Sequence, residues 1–179
     1  MTRREAEIVM EYCADIKRKL RIVRYRKAEL NDEISGVRGM NLDGMPRSSR
    51  PGDSTAAMAE KMEDLGISAE LKRVEREEAV LLADEAKIRE KLSSIHSVHS
   101  EILTKRYIYG FTWEQVKQNL KSARYSIPSL KRKRNEALAI LAEKLGRDPA
   151  SEGILNRAYN AREDKRGVFP GAGSGKTEL

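Results

Sequence analysis

The sequence predicts an all-α protein: a long antiparallel, coiled-coil-like helical hairpin followed by a compact C-terminal three-helix motif. Three observations predict it. Charged residues make up 35% of the 179 positions and aromatic residues only 5%, a composition that suits long helices with one buried stripe and argues against an extensive sheet. Apolar residues recur at spacings of three, four and seven through two long stretches, the period of an amphipathic helix or a coiled-coil seam. Between those stretches glycine and proline are too dense for a helix to continue.

The first helix is expected over Thr2 to Ile34, with Val9, Tyr12, Ile16, Leu20, Val23, Leu30 and Ile34 as its stripe and Lys27 interrupting it. A loop is expected over residues 35–53, where four glycines, Pro46 and Pro51 fall. Periodicity returns near Ser54 with Met58, Met62 and Leu65. Gly66 marks a break or kink, and Ser68 is placed to cap a restart. Leu71, Val74, Leu81, Ile88, Leu92, Ile95 and Ile102 then carry a seven-residue rhythm. Neither stripe can remain in water, so the two helices are expected to fold on each other; pairing between two copies of the chain meets the same requirement. The organisation expected is therefore a hairpin over residues 1–100, a compact motif over 101–146, and a weakly helical, then disordered, tail over 147–179.

Three helices can be placed between Glu101 and Leu145. The first offers Ile102, Leu103 and Tyr107 to a core and ends at Tyr109, with Gly110 as its stop. Thr112 and Gln115 have the spacing of a capping box for the second, whose apolar face is Trp113, Val116 and Leu120. Ser126 is a suitable N-cap for the third, and Pro128 is tolerated in its first turn. On this third helix Ile127, Leu130, Ala137, Leu138, Leu141 and Leu145 share a face, and Arg134 is expected to lay its stem along the core edge with its head in solvent. Gly146 is expected to end the helix in the left-handed conformation.

The formal net charge is +7, which favours an acidic partner. Its distribution is sharper than the total. From Lys105 to Arg134 there are nine lysines and arginines against the single acid Glu114, so the rest of the chain is close to neutral. Cations gathered on a three-helix pattern fit a surface that faces phosphates. In a helix-turn-helix the N-terminal part of the last helix enters the major groove. Arg132 and Asn135 are the residues expected at base edges, because each side chain makes two-pronged contacts, Arg with guanine and Asn with adenine. Ser129 flanks them on the same side of the helix. Lys117, Lys121, Arg124, Lys131 and Lys133 are expected at phosphates.

These residues carry a resemblance. Ile102-Leu103, Arg106-Tyr107-Ile108, Gly110 and Thr112-Trp113-Glu114-Gln115-Val116 resemble the start of a sigma-70 region 4-like helix-turn-helix, and Tyr125-Ser126, Leu130, Arg132 and Ala137-Leu138 fit its reading helix. The wider arrangement, about Ile8 to Leu141, is similar to phage-encoded transcription regulators of the ArpU/RinA type, including the linker Gly44-Met45-Pro46-Arg47 with Gly52-Asp53. Lys117 stands where that family carries a small residue, often alanine, and must swing outward or widen the helix packing. The resemblance implies control of late genes through promoter DNA. Double-stranded DNA is then the expected partner, with RNA polymerase or a second copy of the chain engaged by the N-terminal helices. A small terminase subunit that recognises packaging sites shares these features. A coiled-coil adaptor whose basic helix binds acidic protein accounts for the charge in a different way.

Other signals point to no chemistry. Cys13 is the only cysteine, so neither an intrachain disulfide nor a cysteine zinc site can form. His96 and His99 lack the carboxylate or thiol partners of a metal site. The tail Gly171-Ala-Gly-Ser-Gly-Lys-Thr177 imitates a phosphate-binding loop, but Pro170 stands where its first glycine belongs. No catalytic constellation is found, and neither an enzyme nor a cofactor is expected. No apolar run suits a signal-peptide core or a membrane span. The expected compartment is the cytoplasm, with no membrane partner.

Overall fold

The computed structural model describes residues 1–39, 66–120 and 125–167. Among them all regular structure is helical, and no strand occurs. In chain order the helices are α1 (Arg3–Gly39), α2 (Ile67–Ser93), α3 (Ser97–Leu103), α4 (Trp113–Asn119), α5 (Ile127–Gly146) and α6 (Ala150–Gly167). A π-helical turn, Thr104–Ile108, continues α3. None of the described helices is long and apolar enough to cross a membrane.

Helix α1 opens on a capping box. The Thr2 hydroxyl accepts from the Glu5 backbone N–H at 3.3 Å, and the Glu5 carboxylate accepts from the Thr2 N–H at 2.6 Å. The bonds from Thr2 hold the Glu5 carboxyl below the usual carboxylate range. At its other end α1 runs past Ser35, where a loop was expected, to Gly39. One helical glycine at position 36 costs only about 1 kcal/mol, too little to stop an established helix. The remainder of the expected loop and the methionine-rich restart, residues 40–65, lie outside the described residues. Gly66 has φ +64°, and α2 starts directly after it.

The chain divides into two compact units whose boundaries fall within α1 and α2. One unit comprises Lys17–Ala83. There Leu20, Val23, Leu30 and Ile34 of α1 are buried, as are Ile67, Val74 and Leu81 of α2. Ion pairs flank this stripe: Arg24 meets Glu78 at 2.8 Å, Arg26 meets Glu70 at 3.0 Å, and Lys27 meets Glu75 at 3.3 Å and Glu78 at 3.4 Å. Lys27, which breaks the apolar pattern, is thus held by two carboxylates. Exposed pairs of this kind contribute little each, so the stripe carries the packing and the pairs constrain its register.

The second unit gathers Met1–Ile16 with the described residues from Asp84 onward. Helix α2 does not continue its rhythm to Ile102. It stops at Ser93, and α3 begins at Ser97. The Ser93 and Ser94 hydroxyls donate to the carbonyls of Glu90 and Lys91 at 2.8 and 2.7 Å, a local bonding that competes with further helix. Gly146 differs from expectation too. It is the last residue of α5, with Arg147 as C-cap in the right-handed region. A Cβ at Gly146 would lie 2.7 Å from the Met1 backbone nitrogen, so close approach of the N-terminus, not a left-handed cap, is what requires glycine. The closing segment is a full helix, α6, with Ser151, Ile154, Ala158 and Ala161 buried along one side. Residues 168–179, including the Gly-rich imitation of a phosphate loop, lie outside the described residues.

Polar ties fasten this unit. Asp84 is 3% exposed. Its carboxylate accepts from the Tyr12 hydroxyl at 2.9 Å and from Nε and Nη2 of Arg157 at 2.7 and 2.6 Å, joining α1, α2 and α6. Burial, then the bond to Asp84, pushes the Tyr12 phenol well above its usual range. At the α5–α6 junction Asp148 lies between Lys87 and Lys91, at 2.8 and 3.0 Å, and accepts from the Ala150 N–H. Those lysines bring its carboxyl down from 3.8 to about 2.

Replacing Asp84 with Ala strands the Arg157 guanidinium and the Tyr12 hydroxyl. The expected loss is about 3 kcal/mol, below the top of the range for broken buried pairs because Arg157 is partly solvated. Urea denaturation of Asp84→Ala measures it; a loss under about 1 kcal/mol would sink the assignment of Asp84 as a tie. Asp148 predicts an acid limb. A carboxyl depressed in the folded state stabilises above its unfolded pKa, and that contribution disappears as pH falls through the folded value. Asp148→Asn should flatten the decline in thermal midpoint between about pH 4 and pH 2; an unaltered profile would show that the lysines do not hold it.

Candidate nucleic-acid interface

The site is built on α3, α4 and α5. Ile102, Val116 and Leu130, one from each helix, are fully buried together, and Val98, Phe111, Trp113, Leu120 and Tyr125 pack around them. Trp113 is therefore part of the packing, as its place on the apolar face of α4 predicts. Helix α3 does not end in an ordinary last turn. The Tyr109 N–H reaches the Thr104 carbonyl and the Phe111 N–H reaches the Lys105 carbonyl, each at 3.0 Å, so the turn is widened by a residue. Gly110, at φ +69°, then reverses the chain. The Arg106 guanidinium bridges this reversal, donating to the Phe111 carbonyl at 2.8 Å and lying 5.4 Å from the centre of the Trp113 ring.

The caps of the next two helices form as their sequences require. The Thr112 hydroxyl accepts from the Gln115 N–H at 3.3 Å, and the Gln115 side chain accepts from the Thr112 N–H at 2.8 Å. Ser126 accepts from the Ser129 N–H at 3.3 Å, with Pro128 in the first turn of α5. These caps set where α4 and α5 begin, and so which residues turn outward.

The cations of this segment fall into two sets. Lys105, Arg106 and Arg134 are spent within the unit. Lys105 pairs with Glu101 at 3.3 Å, and Arg106 bridges the turn. Arg134, expected to reach solvent, is 27% exposed and pairs with Glu7 at 3.3 Å. The Glu7 carboxylate also accepts from the Tyr107 hydroxyl at 2.6 Å, which ties α1 to both the π-helical turn and α5. Burial, reinforced by Glu7, pushes the Tyr107 phenol above its usual range. Arg134 stays inside because Glu7 supplies a carboxylate at the core edge, a partner more than a hundred residues away in the chain.

The second set faces outward. Lys117 and Lys131 are exposed and form no ion pair with any described residue. The exposed Lys117 has turned away from the packing, as its position on α4 demands. Arg132 is 79% exposed and braced by Glu136 at 3.4 Å, one turn along α5. Lys133 is half-buried with its ammonium 5.2 Å from the centre of the Tyr125 ring. Ser129 is half-buried in the first turn of α5. Lys121 and Arg124 lie outside the described residues. Asn135, expected at a base edge, is half-buried on α5. Its Oδ1 accepts from Nε and Nη2 of Arg134 at 3.2 and 2.8 Å, so both acceptor positions are filled and a two-pronged contact with adenine would require breaking them.

Sequence reasoning missed Glu136 and set His99 aside. Glu136 lies between Arg132 and His99, whose Nε2 is 3.7 Å away, and the buried His99 Nδ1 has no hydrogen-bond partner among the described residues. The i, i+4 spacing of Arg132 and Glu136 was a usable signal; the approach of His99 was not legible. No group of three or more potential metal ligands occurs among the described residues. Compared with known proteins, the chain matches no family model, no curated protein and no solved structure.

Tyr107→Phe removes one donor from Glu7 while preserving the ring. It should lower stability by about 1–2 kcal/mol, the range of a hydrogen bond to a charged group. Chemical denaturation of the full chain measures this, and an unchanged midpoint would remove Glu7 as the link between α1 and the π-helical turn.

Proposed function

We propose that the chain is a sequence-specific DNA-binding transcription regulator of the kind phages use for late-gene control. In this reading α3, α4 and α5 form a sigma region 4-like helix-turn-helix, and α1 with α2 forms an antiparallel helical hairpin that engages RNA polymerase or a second copy of the chain. The observation that carries the reading is the partition of the cations. Those not needed for packing, Lys117, Lys131, Arg132 and Lys133, are presented on α4 and on the N-terminal half of α5, the part of a reading helix that enters the major groove.

The roles within that set differ. Lys117 and Lys131 neutralise phosphates, which orients the protein and carries no sequence information. Arg132 reads a base edge, with guanine as its natural two-pronged partner, and Glu136 steadies its guanidinium before binding. Asn135 accepts from Arg134 through its amide oxygen. Ser129, in the first turn of α5, is near the duplex end of the helix, and Lys133 adds charge from beside Tyr125.

Fluorescence anisotropy with a labelled random duplex of about 25 base pairs, at salt between about 50 and 200 mM, tests the reading. Affinity should fall steeply with salt, and Lys117→Ala and Lys131→Ala should each reduce the slope of log K against log salt by about 1. Against a duplex selected from a random pool, Arg132→Ala should lose about tenfold in preference over the random duplex. Absence of binding at the lowest salt would overturn the proposal.

A further inference from the structure

An amide side chain has donors at one end and an acceptor at the other, so what it recognises depends on which end faces out. On α5 the preceding residue settles this for Asn135. The Asn135 Oδ1 accepts from Nε of Arg134 at 3.2 Å and from Nη2 at 2.8 Å. A carbonyl oxygen has two lone pairs, and both are then in use. A guanidinium has only donors, so turning the amide over would set its NH2 group against two N–H groups. Arg134 is itself held. Its Nη1 pairs with Glu7 at 3.3 Å, and its guanidinium lies 5.9 Å from the centre of the Trp113 ring. The Asn135 Nδ2 hydrogen-bonds to no described residue and is not sealed from solvent. The amide therefore shows its donors outward and keeps its acceptor inside.

Arg132 stands three residues earlier, a neighbour on the same helix surface, exposed and able only to donate. Three residues of helix rise about 4.5 Å, against about 3.4 Å per base pair, so the two side chains meet neighbouring pairs of a duplex. We propose that Arg134 is a positioning residue that fixes Asn135 as a donor, and that α5 therefore reads acceptor-bearing edges of the major groove, guanine first, at both positions. This rests on the duplex reading, in which α5 enters that groove. Guanine offers an outward NH2 group two acceptors, N7 and O6. Thymine offers O4 alone. Adenine sets its N6 amino donor beside N7, and cytosine presents its N4 amino donor, so both oppose donor to donor. An unrestrained asparagine favours adenine because it can give and take a hydrogen bond at once. With its oxygen held by Arg134, Asn135 has lost that choice.

The test uses the full chain and duplexes selected from a random pool, with affinities measured by fluorescence anisotropy. Asn135→Ala locates the contact, as the base pair whose preference it erases. There the wild type should favour guanine over adenine about tenfold. Asn135→Asp keeps an oxygen toward Arg134 and turns a second acceptor outward, so cytosine should replace guanine as the preferred base. Arg134→Gln can donate or accept, which lets the amide turn over, and should bring adenine within about twofold of guanine. Arg134→Lys has donors only and should keep guanine ahead. A ratio of two affinities measured on one protein is insensitive to its folded fraction, so loss of the Glu7 pair in Arg134→Gln does not imitate the result. The proposal is overturned, and the duplex reading left standing, if the wild type favours adenine at that base pair or if Asn135→Ala erases no preference. The same holds if Asn135→Asp still favours guanine, or if Arg134→Gln keeps the full guanine preference. A wild type that binds no duplex at the lowest salt overturns both.

Discussion

A carboxylate removed from water must find donors, and Asp84 has found three. Its burial would be prohibitive alone, because the charged form loses its hydration. The Tyr12 hydroxyl and two nitrogens of Arg157 replace that hydration. The consequence is topological: α1, α2 and α6 must meet at one point, with the small residues Ala158 and Ala161 turned inward. Apolar stripes can slide past one another by a turn at modest cost. A buried acid with fixed donors cannot, so it specifies one arrangement among several that would bury similar area.

The same need for compensation governs the basic segment of the chain. Glu7, accepting from Tyr107 and Arg134, takes one arginine out of the set of exposed cations and fixes α5 against the N-terminal end of α1. Glu101 takes Lys105, and a backbone carbonyl with an indole face takes Arg106. What remains exposed is a subset defined by which acids and carbonyls come within reach. A charge count along the sequence measures how many cations exist; the acids that face them decide how many stay available. This holds in the Lys17–Ala83 unit as well, where the glutamates of α2 meet Arg24, Arg26 and Lys27 of α1.

Much of the local structure was legible. The helical class followed from composition and period. The Thr112–Gln115 box, the Ser126 cap and the Gly110 reversal were each readable because they depend on residues within four positions of one another. The predicted core positions Ile102, Val116, Leu130, Leu138, Leu141 and Leu145 are all buried. The break at residues 94–96 was hidden because a seven-residue rhythm ran across it, while two serine hydroxyls rebonded the backbone beneath. The widened turn after α3 left no mark in the sequence. Helix α6 gives a weak periodic signal because three of the four residues buried along it, Ser151, Ala158 and Ala161, are small, with Ile154 the one large apolar side chain.

The sequence by itself determined the helices, their caps and the abundance of cations, since these rest on spacing and on bonds to near neighbours. The tertiary structure alone decided the fate of individual charged and polar side chains. It turned Arg134 inward, filled the acceptor of Asn135, left Arg132 exposed beside Glu136, and assigned Gly146 to the passage of the N-terminus. The physical reason is common to all four. Each outcome depends on an atom brought near by folding, and the energy of a charge or a close contact is set by its distance to that atom, which no local pattern encodes.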